Sequence, residues 1–174
     1  MKEQFCILIH YHEISLKGKN RNWFEKCLIR NIKKQLTGLP LTKVHLSAAR
    51  IFCSGIETIK WSQYKQRLKR IIGIKNAILM CQIECRIDVI QNCAGELLSE
   101  INFDTFRIST KRQYKNFLFS SQQVNEKVGK YIQSLYNKSV KLKNADINVI
   151  IELVQGVAYV GYQRIQGYGG LPVG

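Results

Sequence analysis

The sequence predicts an α/β (α+β) protein made of two successive units. Short, nearly continuous apolar runs alternate with longer stretches in which apolar residues recur at helical spacing, and this alternation is typical of mixed folds. Hydrophobic residues make up 45% of the chain and only two prolines interrupt it, so packed cores are expected. A length of 174 residues suffices for one large or two small domains.

The first unit opens with a buried strand predicted over 5–10 and an amphipathic helix over 23–36. Cys27 lies beside an apolar helix face at i, i+4 spacing, formed by Phe24, Leu28, Ile32 and Leu36. Gly38 and Pro40 are expected to end this helix, because glycine adopts the left-handed conformation found at helix ends and proline cannot continue a helix.

Two short strands are predicted within 41–54, joined near 48–50. A second helix follows over 61–72, with Gly73 placed to cap it, and then a strand over 77–86. The inner face of this second helix is expected to hold Tyr64, Leu68, Ile71 and Ile72. The resulting order of strand, helix, two strands, helix and strand is that of a ferredoxin-like unit.

The second unit is predicted to begin with a helix that Asp88 caps, because aspartate accepts hydrogen bonds from the free amides of a first helical turn. The core face of this helix is expected to hold Val89, Ile90, Cys93, Ala94, Leu97, Leu98 and Ile101. A strand over 105–112 follows. It alternates between an apolar side, with Phe106, Ile108 and Thr110, and a polar side, with Arg107, Ser109 and Lys111.

The last predicted elements are a helix and a hairpin. Ser120 or Ser121 is expected to cap a helix that reaches Tyr136. The inner face of this helix consists of Val124, Val128, Ile132 and Leu135. Two apolar runs over 147–154 and 157–165, separated by Gln155 and Gly156, predict the hairpin.

The chain is strongly basic, with 27 Lys+Arg against 12 Asp+Glu and a formal net charge of +15. Because the cations are spread along the sequence, they predict a folded basic surface that binds a polyanion, and a solvated, highly soluble protein is the alternative. Lys17, Lys19 and Arg21 precede a helix N-terminus, which attracts phosphate. The exposed face of that helix adds Lys26, Arg30, Lys33 and Lys34.

A second cationic cluster lies on the strand over 105–112 and on the loop after it. Its cations are Arg107, Lys111, Arg112 and Lys115. Tyr114 and Phe117 are candidates for stacking on bases, since single-stranded RNA is read by stacking and base-edge hydrogen bonds. Phe117 and Phe119 could equally belong to the core.

No apolar run approaches the roughly 18 residues of a membrane span, and the first residues do not form a signal peptide, so we expect a cytoplasmic protein without membrane contact. The six cysteines are then expected to be reduced and packed in the core. Cys81 and Cys85 are separated by three residues and lack the paired spacing of a zinc site. We expect no metal site, although His10, His12 and Glu13 are ligand types.

Two segments resemble the tRNA 4-thiouridine synthase (tRNA sulfurtransferase) family. EISLKGKNRNWFEKCLIRNIKKQL (13–36) is similar to the E-I-x-L-K-G-K-N-R-x-x-F-E pattern of its N-terminal ferredoxin-like domain. FRISTKRQYKNFLFSSQQVNEKVGKYI (106–132) is similar to its THUMP domain, and GYGGLPVG (167–174) to the linker before its PP-loop domain. His10 and His12 depart from the family, which usually shows a basic residue and a glycine there. The S-G-G-x-D-S motif of the PP-loop domain does not occur in this sequence.

The resemblance implies an N-terminal ferredoxin-like domain over 1–75, a THUMP RNA-binding domain over 76–166 and a linker over 167–174 to a catalytic domain absent from this chain. It implies a module that binds the tRNA acceptor stem, with the THUMP domain receiving the 3′ CCA end. ATP is expected only for the absent PP-loop domain, which adenylates the target uridine. We therefore expect no cofactor, catalytic residue or turnover in this chain. Whether this chain forms a homodimer, as the full-length family can, is left open.

The RNA-binding residues predicted from the two clusters and the resemblance are Lys17, Lys19, Arg21, Lys26, Arg30, Arg107, Lys111, Arg112, Tyr114 and Lys115. Two alternatives remain open. The chain could be a THUMP module serving a different tRNA-modifying enzyme, such as a methyltransferase, pseudouridine synthase or deaminase. It could also be a small metal-binding ferredoxin-like protein or enzyme that uses His10, His12 and Glu13.

Overall fold

The computed structural model describes residues 4–11, 20–113 and 115–168. The chain divides into two compact units. The first holds Phe5–Leu79 together with the residues from Gln163 onward, and the second holds Met80–Tyr162. The first unit is therefore assembled from two separate stretches of the chain.

The first unit has the predicted order of elements, and the ferredoxin-like arrangement is confirmed. The elements are β1 (Gln4–Tyr11), α1 (Arg21–Gln35), β2 (Lys43–Ser47), β3 (Arg50–Ser54), α2 (Trp61–Leu68) and β4 (Ile74–Glu84), of which the residues up to Leu79 lie in this unit. The strands lie in the order β2-β3-β1-β4, and β3 is antiparallel to both of its neighbours. A single turn of 3-10 helix, Thr58–Lys60, leads into α2.

The core of the first unit explains why β1 is almost continuously apolar. Ile7 and Ile9 of β1 are fully buried and belong to the same hydrophobic cluster as Leu28 and Ile32 of α1. Ile165, near the end of the described chain, is buried in this cluster as well. The core of the first unit is thus completed by residues from its second stretch.

Gly167 fixes this second stretch at close range. Its backbone amide donates a hydrogen bond to the carbonyl of Lys75, with an N···O distance of 2.8 Å. A Cβ atom at Gly167 would stand 2.1 Å from the carbonyl oxygen of Ile74, so no other residue fits here without moving the backbone. The predicted linker over 167–174 therefore begins at a tightly packed position, and residues 169–174 lie outside the described part.

Helix α2 is shorter than predicted. It ends at Leu68, and the chain then turns towards Gly73, which has a φ of 107°. Ile71 is buried as expected, but 48% of Ile72 is exposed. The expectation that Ile72 faces inward was wrong, because the helical periodicity on which it depended stops four residues earlier.

The second unit is α/β, as predicted. Its elements are α3 (Ile87–Leu97), β5 (Thr105–Arg112), α4 (Ser121–Tyr136), β6 (Ser139–Val140), β7 (Ile147–Val154) and β8 (Val157–Gln166), of which the residues up to Tyr162 lie in this unit. The strands lie in the order β8-β7-β5-β6, with β5 parallel to β6 and β7, and β7 antiparallel to β8. Strand β6 was not predicted, because two residues are too few to give a period.

The helix caps of the second unit were predicted in part. Asp88 is not the N-cap of α3, because it lies within the first turn and accepts a hydrogen bond of 2.6 Å from Arg86, the residue at the cap position. Ser120 does cap α4, and Gln123 bonds back to the Ser120 amide to complete a capping box. Leu135 was expected on the inner face of α4, but half of it is exposed.

The cysteines are free thiols, and all but Cys85 are buried. Burial raises the pKa of Cys53 to about 12, so this thiol is neutral at neutral pH. Within the described ranges, no group of three metal-ligating side chains occurs. His12 and Glu13, two of the three candidate ligands, lie outside them. None of the described helices is long and apolar enough to cross a membrane.

Candidate nucleic-acid interface

Arg21, one of the predicted RNA-binding residues, begins α1 and belongs to a buried polar link. Glu25 is only 4% exposed, and one of its carboxylate oxygens accepts a hydrogen bond of 2.5 Å from the Tyr11 hydroxyl. Its other oxygen lies 3.5 Å from Arg21 Nε. Burial, followed by this hydrogen bond, raises the pKa of Tyr11 to about 12. Arg21 therefore helps to hold α1 against β1, while 43% of its side chain remains exposed.

The outer face of α1 carries the other predicted cations of the first unit. Lys26 and Arg30 are exposed, as are Lys33 and Lys34, and all four lie opposite the buried apolar side of the helix. One Arg30 nitrogen lies 3.4 Å from Cys27 Sγ, and this contact steadies the side chain along the helix. The helix supplies a row of exposed cations, which a phosphate backbone attracts.

In the second unit, two predicted RNA-binding arginines hold backbone carbonyls. Arg107 donates a hydrogen bond of 2.9 Å to the carbonyl of Leu142. Arg112 donates to the carbonyls of Phe117 and Phe119, at 3.3 and 3.1 Å. Arg112 thus shapes the loop between β5 and α4. A role in RNA binding for these two arginines stays a prediction, and it would have to coexist with these contacts.

The lysines of this cluster are the more available cations. Lys111 at the end of β5 and Lys115 in the loop are exposed. The nearby rings are less available. Phe117 and Phe119 meet edge to face with centroids 5.9 Å apart, and the Lys127 ammonium lies 4.6 Å from the centre of the Phe119 ring. The loop therefore presents lysines outward while its phenylalanines contact each other.

A cavity of about 480 Å³ opens beside α4. Its lining residues are Ile108, Gln122, Asn125, Glu126, Gly129, Lys130, Gln133, Val140 and Leu142. The space exists for two reasons. Strand β6 pairs with only the first two residues of β5, and Gly129 places no side chain over Ile108. Sequence reasoning missed this cavity, because its polar face lies on α4 opposite the apolar periodicity that identified the helix.

The lining of the cavity combines apolar side chains with amides. The Oδ1 atom of Asn125 is buried and accepts no hydrogen bond from the described residues. Gln122 and Gln133 stand on the same side of α4, and each amide can both donate and accept. Lys130 adds a positive charge to the lining, and Glu126, which accepts a hydrogen bond of 3.3 Å from Gln122, adds a negative one. Such a site suits a flat, partly apolar ligand with polar edges.

Three predicted residues, Lys17, Lys19 and Tyr114, lie outside the described part of the chain. The others fall into two groups. Arg21, Lys26 and Arg30 are together on α1 in the first unit. Arg107, Lys111, Arg112 and Lys115 are together on β5 and the loop after it in the second unit.

Two family models match this chain in succession. Residues 6–77 match the ThiI ferredoxin-like domain, and residues 84–162 match the THUMP domain. The resemblance stated from the sequence is thereby confirmed for both parts.

A probable tRNA sulfurtransferase of Streptococcus pneumoniae (strain 70585) is 34% identical over 97% of this chain, which spans 42% of the length of that relative. The crystal structure of PH1313 from Pyrococcus horikoshii Ot3 is similar with a TM-score of 0.88 and 31% identity, covering 98% of this chain and 57% of the other. A 4-thiouridine synthetase–RNA complex with bound ATP is similar with a TM-score of 0.81 and 28% identity, covering 98% of this chain and 44% of the other.

Proposed function

Because the chain joins a ThiI ferredoxin-like domain to a THUMP domain, we propose that it is a tRNA-binding module for 4-thiouridine formation. It docks the acceptor stem and the 3′ CCA end of the tRNA. Sulfur transfer to the uridine would be carried out by a PP-loop domain that uses ATP. The observation that carries this proposal is the similarity of 98% of the chain to part of a 4-thiouridine synthetase solved with RNA.

The first unit is suited to the stem. Double-stranded RNA is recognised by its shape, its phosphates and its 2′-hydroxyls rather than by its sequence. The exposed Lys26 and Arg30 on α1, with the exposed part of Arg21 at its start, provide charges for successive phosphates. A net charge of +15 adds long-range attraction.

The second unit is suited to the unpaired end. A nucleobase has an apolar face and polar edges, which match the apolar side chains and the amides that line the cavity beside α4. Asn125 Oδ1 would gain a hydrogen-bond donor from the amino group of a base. Lys130 and the exposed Lys111 would bind the adjoining phosphates.

A titration against whole tRNA, tRNA lacking its CCA end and an unrelated duplex tests the proposal. Whole tRNA should bind most tightly, because only it fills the cavity. If roughly five to eight phosphates are neutralised, log K should fall with log salt at a slope of about −4 to −7. Equal affinity for all three ligands, or a flat salt response, would refute recognition of the acceptor end.

Gly129 offers a matched pair of variants for the cavity. A Cβ there meets Ile108 at 4.0 Å, so Gly129→Ala fits, whereas Gly129→Leu extends a larger side chain into the cavity. Both variants should keep the helix, since each residue has a higher helix propensity than glycine. Gly129→Leu should clearly reduce the preference for whole tRNA over CCA-less tRNA, and Gly129→Ala should retain most of it. Unchanged discrimination in Gly129→Leu would place the CCA end elsewhere.

Lys111→Glu is the cleanest charge reversal in the β5 cluster. Lys111 is exposed, whereas Arg112 holds two loop carbonyls, so reversal of Arg112 would also disturb the loop. Weaker tRNA binding by a variant with an unaltered circular dichroism spectrum would support the proposed contact. Unchanged affinity would exclude Lys111 from it.

A further inference from the structure

Trp23 is the largest exposed apolar side chain on α1, and 54% of it is accessible to solvent. Its ring meets Phe24 only edge on, with centroids 5.0 Å apart and an angle of 71° between the planes. Trp23 lies in the first turn of α1, and because it is exposed it does not contribute to the buried core of the first unit. Its flat ring is available to a ligand.

Two cations of α1 share the side of the helix on which Trp23 lies. Lys26 and Arg30 follow Trp23 at i+3 and i+7, the spacing of one helix face, and both are exposed. We name these three residues the α1 stripe. The one carboxylate within α1 is Glu25, which is buried and bonded to Tyr11. The α1 stripe therefore combines an aromatic ring with positive charge that no acidic residue of the same helix offsets.

We infer that Trp23 stacks on an unpaired nucleobase of the bound RNA while Lys26 and Arg30 contact the phosphates of the same strand. Stacking on an aromatic ring beside a cationic track is how single-stranded nucleic acid is bound with little sequence preference, because every base has a π-face. The inference rests on the proposed RNA-binding function and adds a second contact for an unpaired nucleotide, on the first unit, separate from the cavity beside α4.

An anionic membrane surface is the other partner that tryptophan and basic residues on a helix can favour. An interfacial helix needs a broad apolar face to insert into lipid. In α1 the apolar side is already used in the core, where Leu28 and Ile32 are buried. Trp23 alone is left outside, so the α1 stripe favours RNA.

The chain contains two tryptophans, and this makes the inference directly measurable. Trp61 is 6% exposed and its indole N–H has no partner among the described residues, so Trp61→Phe loses no hydrogen bond and leaves Trp23 as the sole fluorophore. RNA hairpins with and without a single-stranded overhang are titrated into this variant. Binding is read independently from the anisotropy of a dye on the RNA.

The overhang RNA should quench Trp23 emission, and the blunt hairpin should bind with little quenching. In a chain that keeps Trp61, Trp23→Ala should weaken binding of the overhang RNA by about 5- to 150-fold, while Trp23→Phe should stay close to wild type. RNA that binds by anisotropy without quenching Trp23, together with wild-type affinity in Trp23→Ala, would overturn the inference and leave the proposed function standing.

No anisotropy change with any RNA would instead overturn the proposed function, and the inference with it. Vesicles containing anionic lipid serve as the last arm of the experiment. A blue shift of Trp23 emission with vesicles, and none of the expected quenching with overhang RNA, would assign the α1 stripe to a membrane surface and refute stacking on RNA.

Discussion

The buried link between β1 and α1 should stabilise the first unit mainly through Tyr11 and only slightly through Arg21. The test compares two truncations, Tyr11→Phe and Arg21→Ala. Tyr11→Phe removes the donor of the 2.5 Å hydrogen bond and leaves the Glu25 carboxylate, which is 4% exposed, with less compensation. Arg21→Ala removes a guanidinium whose side chain is 43% exposed and whose Nε lies 3.5 Å from the carboxylate.

The magnitudes follow from burial and geometry. A hydrogen bond to a charged group contributes about 1.5 to 3 kcal/mol, so Tyr11→Phe should lower the free energy of unfolding by about that amount. An i, i+4 ion pair with an exposed partner contributes about 0.3 to 0.5 kcal/mol, so Arg21→Ala should cost about 0.5 kcal/mol. The tyrosine variant should therefore be at least about three times as destabilising.

Urea unfolding followed by tryptophan fluorescence measures both costs, since Trp61 is buried in the same unit. Equal losses in the two variants, or a larger loss in Arg21→Ala, would refute the assignment of the link to Tyr11 and Glu25. The same proteins separate folding from binding. Arg21→Ala should reduce RNA affinity although its stability is nearly that of the wild type.

Three further predictions concern pH and helix capping. Because the pKa of Tyr11 is raised from 10.0 to about 12, the folded protein favours the neutral form of this side chain. The free energy of unfolding should therefore fall as pH rises through this range. Urea unfolding should show a smaller fall in Tyr11→Phe. Asp146 accepts hydrogen bonds from two backbone amides at the start of β5, which lower its pKa below 3.8. The contribution of Asp146 to the free energy of unfolding should be present above that pH and lost as pH falls below it. Asp146→Asn should therefore lose less stability than the wild type when the pH is lowered through this range. Ser120→Ala should cost about 0.5 to 2 kcal/mol of stability in thermal unfolding, and an unchanged melting temperature would contradict the role of its capping box.

Helices and strands could be predicted wherever the periodic spacing of apolar residues extended over enough positions to be recognised. Strand β5 was predicted with its observed bounds, because its apolar and polar residues alternate without interruption over eight positions. The turn between β2 and β3 was placed correctly, although Ala48 and Ala49 adopt positive φ values of 50° and 59° that no alanine signals. Where the period was short or broken, as in β6 or after Leu68, the prediction failed.

The site was harder to predict, because a charged residue in the sequence can bind a ligand or bond to the protein itself, and the sequence does not show which. Lys111 and Arg112 read alike in the sequence, yet one is exposed and the other bonds two carbonyls seven or fewer residues away. The cavity beside α4 depends on Gly129 and on the shortness of β6, neither of which has a sequence pattern. Trp23 could have been recognised from its spacing with Lys26 and Arg30.

The two-stretch composition of the first unit has a consequence for how the protein is made. A ribosome delivers Phe5–Leu79 first, but Ile165 and Gly167, which complete the core and pair with the backbone of β4, emerge only after Met80–Tyr162 has been synthesised. During synthesis the first unit therefore cannot complete its core until the second unit has left the exit tunnel. Part of its apolar interior stays uncovered until then. The second unit can finish folding before the first unit, although most of the first unit precedes it in the sequence.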